Sequence, residues 1–332
     1  MSEKILFLEG DGVGPSMLAS AERVLKAATD SVEVIHGEIG RAAFDKTGQY
    51  LPHDTMDLLD ECKIILSGPV YKGDLREDAL KTLTIQLDLF AKVKHFRTLA
   101  PDLGVQGADI ALWSCNNNTE AEISEIPDLD GITLSKYVKN TAYNRMMQLA
   151  RANNDKYGIK RISCLLKTDF FPLSSGMFRE SFESTFPAEE YETQIMNVGD
   201  WAAKAMKEPP QDQCVLCVDL YSQIAAGILG SVTGFGYLAP TCFVGEEYRL
   251  YMPLRRPDYD DTVEAQHVNP TAVIQSVASM LRLSGLDKEG AIVRDSLTDT
   301  YLENKRTPDL GGTLTAEQFT DAVIEHIQSR LA

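Results

Sequence analysis

Short, almost wholly apolar runs alternate along this chain with longer segments in which apolar residues recur every three or four positions. Lys4 to Leu8 is the first such run and predicts a strand. Met17, Leu18, Ala21, Val24 and Leu25 follow at helical spacing and predict an amphipathic helix. Between the two lies Gly10-Asp11-Gly12-Val13-Gly14-Pro15, whose glycines permit a tight turn and whose Pro15-Ser16 suits a helix start. The rhythm returns at Ile64 to Leu66 and at the strand-like Val93 to Leu99. It returns again at Val215 to Val218, followed by a turn at Asp219-Leu220 and a small-residue helix from about Ser222 to Leu229. Thr315 to Leu331 reads as a final amphipathic helix with Thr315 as N-cap. Apolar strands alternating with helices predict an α/β layered fold.

Length and charge narrow the picture. A chain of 332 residues exceeds the size at which one core usually splits, so two domains are expected, with crossing points near Pro101 and around Gly234 to Pro240. No apolar run approaches 18 residues, and Met1-Ser2-Glu3-Lys4-Ile5 lacks a signal-peptide layout, so no membrane span and a cytoplasmic location are expected. The net charge of −17 disfavours nucleic acid and anionic lipid as partners, because both are bound through positive surface. A small anionic ligand would need a local positive pocket. Six scattered cysteines read as buried, reduced thiols. Cys214 and Cys217 have CxxC spacing, but they lie inside an apolar strand with no second pair or nearby His, which argues against a zinc or redox site.

The opening glycine loop is neither a G-x-G-x-x-G fingerprint nor a P-loop. It resembles the Gly-Asp-Gly-Ile-Gly-Pro that opens the isocitrate/isopropylmalate (β-decarboxylating) dehydrogenases. The likeness continues in order through Ser67-Gly68-Pro69-Val70, Leu87-Asp88-Leu89-Phe90-Ala91, Asn118-Thr119-Glu120, Asn269-Pro270 and Arg306-Thr307-Pro308-Asp309-Leu310-Gly311-Gly312. The resemblance implies an isopropylmalate dehydrogenase-like two-domain α/β fold. Its first, cofactor-side domain is made from both chain ends, 1–98 plus 239–332, and its second, substrate-side and dimerisation domain from 99–238. It also implies a homodimer whose cleft the partner chain completes.

Position by position, the same resemblance implies altered chemistry. The family's Asp-x-x-Ser-Asp pair, four apart on a helix face where a divalent ion can be held, is read at Gln223 and Gly227. Three substrate-binding arginines fall on Thr84, Lys94 and Asn116, and a proton-donating Tyr falls on Ile123; a Lys does not reproduce a bidentate guanidinium. Lys167 matches the base contributed by the neighbouring subunit. Asp200 matches the aspartate that reaches the metal across the dimer, but alone with Gln223 it supplies too little negative charge for a tight Mg²⁺ or Mn²⁺ site, which leaves an ion held mostly by substrate oxygens. Asp261 and Asn269 fall on the cofactor side, and the acidic loop around Asp261 favours NAD over NADP. Lys94 and Arg97, with Lys92, Arg255, Arg256 and Asn116, are the candidates for holding an anionic ligand; their other reading is surface salt pairing.

Three functions follow from these substitutions. One is a diverged family member without metal-dependent oxidative decarboxylation, serving as a binding or regulatory pseudoenzyme. Another is an NAD-dependent oxidoreductase acting on a different 2-hydroxy acid, with Lys167 as base. The third is a regulatory subunit whose Lys167 and Asp200 complete the site of a homologous catalytic subunit.

Overall fold

The computed structural model describes residues 3–71, 78–116, 121–208, 210, 213–254 and 264–332, apart from the side chains of 121–123, 219 and 220. The expected elements appear where the apolar patterns lie. β1 (Glu3–Leu8) leads through the glycine loop into α1 (Gly14–Ala28), whose Met17, Leu18, Ala21, Val24 and Leu25 are all buried. Gly10 has φ +71, and a Cβ there would stand 2.5 Å from the Pro69 carbonyl oxygen. At Gly14 it would stand 2.1 Å from that of Glu9. Only glycine lets the loop pack this tightly.

β2 (Val32–Gly37), α2 (Arg41–Thr47), α3 (His53–Asp57), β3 (Ile64–Ser67), α4 (Ala79–Gln86), β4 (Ala91–Arg97) and β5 (Asp109–Cys115) follow. β6 (Ala121–Asp128) and β7 (Gly131–Val138) form a separate antiparallel ribbon. Beyond it come α5 (Asn140–Tyr157), β8 (Arg161–Leu166), α6 (Pro172–Thr185), β9 (Glu192–Asn197), α7 (Val198–Ala205), β10 (Cys214–Cys217) and α8 (Asp219–Thr233). β11 (Thr241–Val244), β12 (Arg249–Met252), α9 (Thr271–Leu283), α10 (Asp287–Leu302) and α11 (Ala316–Leu331) complete the chain.

Ten strands form one mixed sheet in the order β2-β1-β3-β12-β11-β4-β5-β10-β8-β9. The pairs at both ends are parallel, whereas β12-β11, β11-β4 and β4-β5 are antiparallel. The first six strands of that order come from residues 3–97 and 241–252, and the last four from 109–217. Helices cover both faces, as a sheet with strands buried on both sides requires. Alternation sorts each strand: Ile5 and Phe7 of β1 face one core, Leu6 and Leu8 the other.

Two local expectations are decided by this geometry. All six cysteines are buried and none forms a disulfide. Cys214 packs into the core on one face and Cys217 into the core on the other, so the CxxC pair straddles the sheet and its sulfurs cannot share a metal. The capping assignment also holds. Thr315 Oγ1 accepts from Gln318 N at 3.2 Å, and Gln318 Oε1 accepts from Thr315 N at 3.0 Å. Thr315→Ala should therefore cost about 1 kcal/mol in denaturant unfolding, and an unchanged midpoint would show the cap to be redundant.

Candidate active-site cleft

One face of the sheet carries a continuous apolar cover, reaching from Ile5 of β1 to Cys164 of β8. On the opposite face the cover is split into one cluster around β1, β3 and β12 and another around β5, β8 and β10. The break falls at β4, where Lys92 and Lys94 stand across the ladder from Ser114 of β5 and Thr241 of β11. Helix α8 passes this gap, and Lys94 Nζ donates to Gln223 Oε1 at 3.4 Å. Burial, and after it the Lys92 ammonium, lowers the Lys94 amine to about 8. A charge this poorly solvated favours an anionic partner.

The expected cationic group divides. Arg97 is three residues beyond Lys94, an odd step along a strand, so it lies on the opposite face with Val93 and His95. Its Nη1 donates to the Arg294 carbonyl at 3.3 Å. Lys94 and Arg97 therefore do not serve one pocket, which corrects the expectation that they would.

Two of the substituted substrate positions have been taken into the fold. Asn116, 2% exposed, donates its side-chain amide to the Leu89 carbonyl at 2.8 Å and its backbone N–H to the Phe90 carbonyl at 2.7 Å. Thr84 is fully buried, and its hydroxyl donates to the Lys81 carbonyl at 2.9 Å. Asn116 ties β5 to the turn that leads into β4, and the Thr84 hydroxyl is spent inside α4. Asn118, Thr119 and Glu120 lie outside the described residues, as does the side chain of Ile123.

Lys167 follows β8, where its ammonium pairs with Asp169 and lies 4.8 Å from the centre of the Phe170 ring. Its backbone N–H donates to Ser175 Oγ at 3.2 Å. Asp200 is exposed in the first turn of α7, directly after β9. β8 and β9 stand three and four strands from β4, roughly 14 Å and more at about 4.8 Å per strand. Within one chain, Lys167 and Asp200 thus lie apart from Lys94.

Helix α8 begins at Asp219, three residues ahead of the expected Ser222. Its first pair four apart is Asp219 and Gln223, in frame with Asp-x-x-Ser-Asp through Ser222, and Gly227 stands one turn beyond. This corrects the assignment of the pair to Gln223 and Gly227: one acidic position persists and the other is neutral. The Ser222-Gln223 dipeptide already carried the frame. A divalent ion on this face would meet Gln223, itself hydrogen-bonded to an ammonium, where a second carboxylate would suit it better. Gln223 is a weak ligand for such an ion, and the side chain of Asp219 lies outside the described residues.

On the cofactor side, Asp261 lies outside the described residues, together with Arg255 and Arg256. Asn269 is 5% exposed and occupied internally: its amide donates to Asp309 at 3.1 Å and Tyr301 at 3.4 Å, and Oδ1 accepts from Thr271 N at 3.0 Å. The Tyr301 hydroxyl is pushed up to about 12 by burial, so it stays protonated in this network. Asn269 shapes the start of α9 through these bonds.

With the geometry in hand, comparison with known proteins is informative. The isocitrate/isopropylmalate dehydrogenase family model matches residues 4–327. The 3-isopropylmalate dehydrogenase of Methanothermobacter thermautotrophicus is 27% identical over 336 residues, covering 98% of this chain and 99% of its own. The human mitochondrial NAD isocitrate dehydrogenase subunit beta is 25% identical over 338 residues, covering 98% of this chain and 86% of its own. Among solved structures, a β-decarboxylating dehydrogenase from Thermococcus kodakarensis in apo form superposes with TM-score 0.88 at 21% identity, covering 99% of this chain and 97% of its own.

Proposed function

Since the chain belongs to the isocitrate/isopropylmalate dehydrogenase family, we propose that it is a diverged member that has lost metal-dependent oxidative decarboxylation and keeps its cleft as a binding or regulatory site for a small anion. The observation that carries this reading is the state of Thr84 and Asn116. Both stand where the family resemblance puts substrate guanidiniums, and both are buried with their side chains donating to the chain's own carbonyls. Lys94 is then the cation available to a carboxylate from that set, and a single ammonium holds a tricarboxylate or dicarboxylate less firmly than three bidentate forks. NAD is the dinucleotide this reading favours, from the acidic residues around Asp261.

Ordinary family members would be expected to turn over at about 1–10³ s⁻¹. The purified protein, given isocitrate or 3-isopropylmalate with NAD or NADP and Mn²⁺, should stay at least about a thousandfold below that range. Turnover within it overturns the proposal.

The same cleft makes a pH prediction. An anion held by the Lys94 ammonium loses its partner as the amine deprotonates, so affinity is full well below pH 8 and falls as pH rises through about 8. Calorimetric titration of a bound dicarboxylate at pH 7 and pH 9 should show roughly a tenfold loss, and Lys94→Met should abolish the pH dependence. A flat profile in the unaltered protein removes Lys94 from the site.

The assembly proposed is a cytoplasmic homodimer, with domains 1–98 plus 239–332 and 99–238. Its physical support is the β6–β7 ribbon, where Ile126, Leu129, Ile132, Leu134 and Tyr137 are all exposed in the single chain. A two-stranded ribbon is marginal on its own and its apolar faces call for a cover. A second reading pairs this chain with a homologous catalytic subunit, and two observations favour it. Lys167 and Asp200 lie far from the chain's own Lys94, and one relative is by name a subunit of a larger enzyme. Co-purification with a full-motif homologue supports that reading; a homodimer by native mass measurement counts against it.

A further inference from the structure

Behind β4, on the face away from Lys94, lies a cavity of about 480 Å³ between the sheet, the C-terminal half of α5 and the end of α9. That volume is in the range of small-molecule sites. Four cationic side chains line it, Lys156, Arg249, Arg282 and Arg294, against one carboxylate, Asp109. A smaller pocket shares Arg282 and Arg294 with it and adds Arg97. On a protein of net charge −17, this local excess of positive charge runs against the global field.

Part of this charge is matched: Arg249 Nη1 donates to the Tyr248 carbonyl at 2.9 Å, Lys156 Nζ donates to the Arg282 carbonyl at 3.2 Å, and Arg282 Nε lies 3.9 Å from Asp287 Oδ1. Arg294 Nη2 donates to Asp109 Oδ2 at 2.7 Å, and His95 Nε2 lies 2.6 Å from Oδ1, so the single carboxylate is already shared. Burial pushes the Asp109 carboxyl up, but His95, Arg294 and Arg97 outweigh it and hold it below the usual range. Burial, and after it the Arg294 charge, holds Arg97 below its ordinary value. Arg282 stacks at 4.0 Å on the Tyr157 ring. Trp113 forms part of the cavity wall and is 4% exposed; its indole N–H is itself buried and has no hydrogen-bond partner among the described residues. A buried donor left unmatched costs about 1–3 kcal/mol. Buried Arg294 Nε is likewise unmatched.

We propose that this rear cavity binds a small organic anion with a planar or apolar body. Its carboxylate, phosphate or sulfonate would be held by Arg282 and Arg294, with its body against the Tyr157 and Trp113 rings. The site is distinct from the cleft at Lys94 and does not depend on the function assigned there. It shares β4 with that cleft, Lys94 on one side and His95 and Arg97 on the other, so occupancy behind the sheet bears on the strand in front.

The probe is 8-anilinonaphthalene-1-sulfonate, an anion with an apolar aromatic body, titrated into ¹⁵N-labelled protein. The chain has two tryptophans, Trp113 and Trp201, hence two indole N–H resonances, assigned with Trp113→Phe. The expected result is a saturable shift of the Trp113 resonance with that of Trp201 unmoved. Binding should weaken at least tenfold in Arg282→Gln and change less than twofold in Lys94→Met. A Trp113 resonance unmoved at saturating probe overturns the proposal, and that readout needs no substitution. So does equal affinity in a folded Arg282→Gln variant, or loss of binding in Lys94→Met, which would place the probe in the front cleft.

Discussion

Asp11→Ala should lower the free energy of unfolding by about 3–5 kcal/mol. Asp11 is 3% exposed in the centre of the opening glycine loop. Its Oδ1 accepts from Ala42 N at 3.0 Å, at the start of α2, and its Oδ2 accepts from Tyr71 N at 2.9 Å. Its own backbone N–H donates to the Pro69 carbonyl at 2.7 Å. One carboxylate thus joins three segments distant in sequence. Hydrogen bonds to a charged group contribute about 1.5–3 kcal/mol each, and truncation leaves two backbone donors unmatched. Gly40, at φ +90, is part of the arrangement, because a Cβ there would stand 2.5 Å from Asp11 Oδ2. Urea denaturation followed by circular dichroism is the measurement. A loss below about 1 kcal/mol would mean that the surrounding turns hold without the carboxylate. The same geometry gives the opening glycine loop a structural role, with its aspartate bonded to two backbone donors of the chain itself.

The second large effect concerns assembly. In the ribbon, Ile132 and Leu134 of β7 project to one face, 65% and 72% exposed. If a partner chain covers this face, each side chain contributes about 1.5–3 kcal/mol on burial. Twofold symmetry doubles the contribution of each position. Ile132→Asp with Leu134→Asp should therefore cost at least about 6 kcal/mol of association, four orders of magnitude in the dissociation constant. Sedimentation at micromolar concentration should find a monomer with unchanged far-ultraviolet circular dichroism. A dimer that survives both substitutions would assign the interface to another surface.

The legibility of this chain differs from link to link. β1, α1, β3, β4 and α11 were readable because alternation and the 3.6-residue period are local properties, and the Thr315 cap because its box spans four residues. Among the landmark motifs, the glycine loops are legible because the backbone there packs too closely for a side chain, as at Gly10, Gly14, Gly68 and Gly312. The start of α8 was missed by three residues. Small residues blur the helical period, and the in-frame Ser222 was outweighed by an apparent turn at Asp219-Leu220.

Local pattern was therefore enough for the α/β alternation, for the elements with a clear apolar period and for the family. What only the tertiary structure decided was company. Arg97 and Lys94 are three residues apart and face opposite sides of the sheet. Asn116 meets the Leu89 carbonyl because β5 lies beside β4. The rear cavity exists because β4, β11 and β12 bring residues 93–95 together with 240–251 under α5 and α9. The physical reason is that a side chain's orientation follows from local periodicity, whereas its neighbours follow from strand order, and strand order joins segments more than a hundred residues apart.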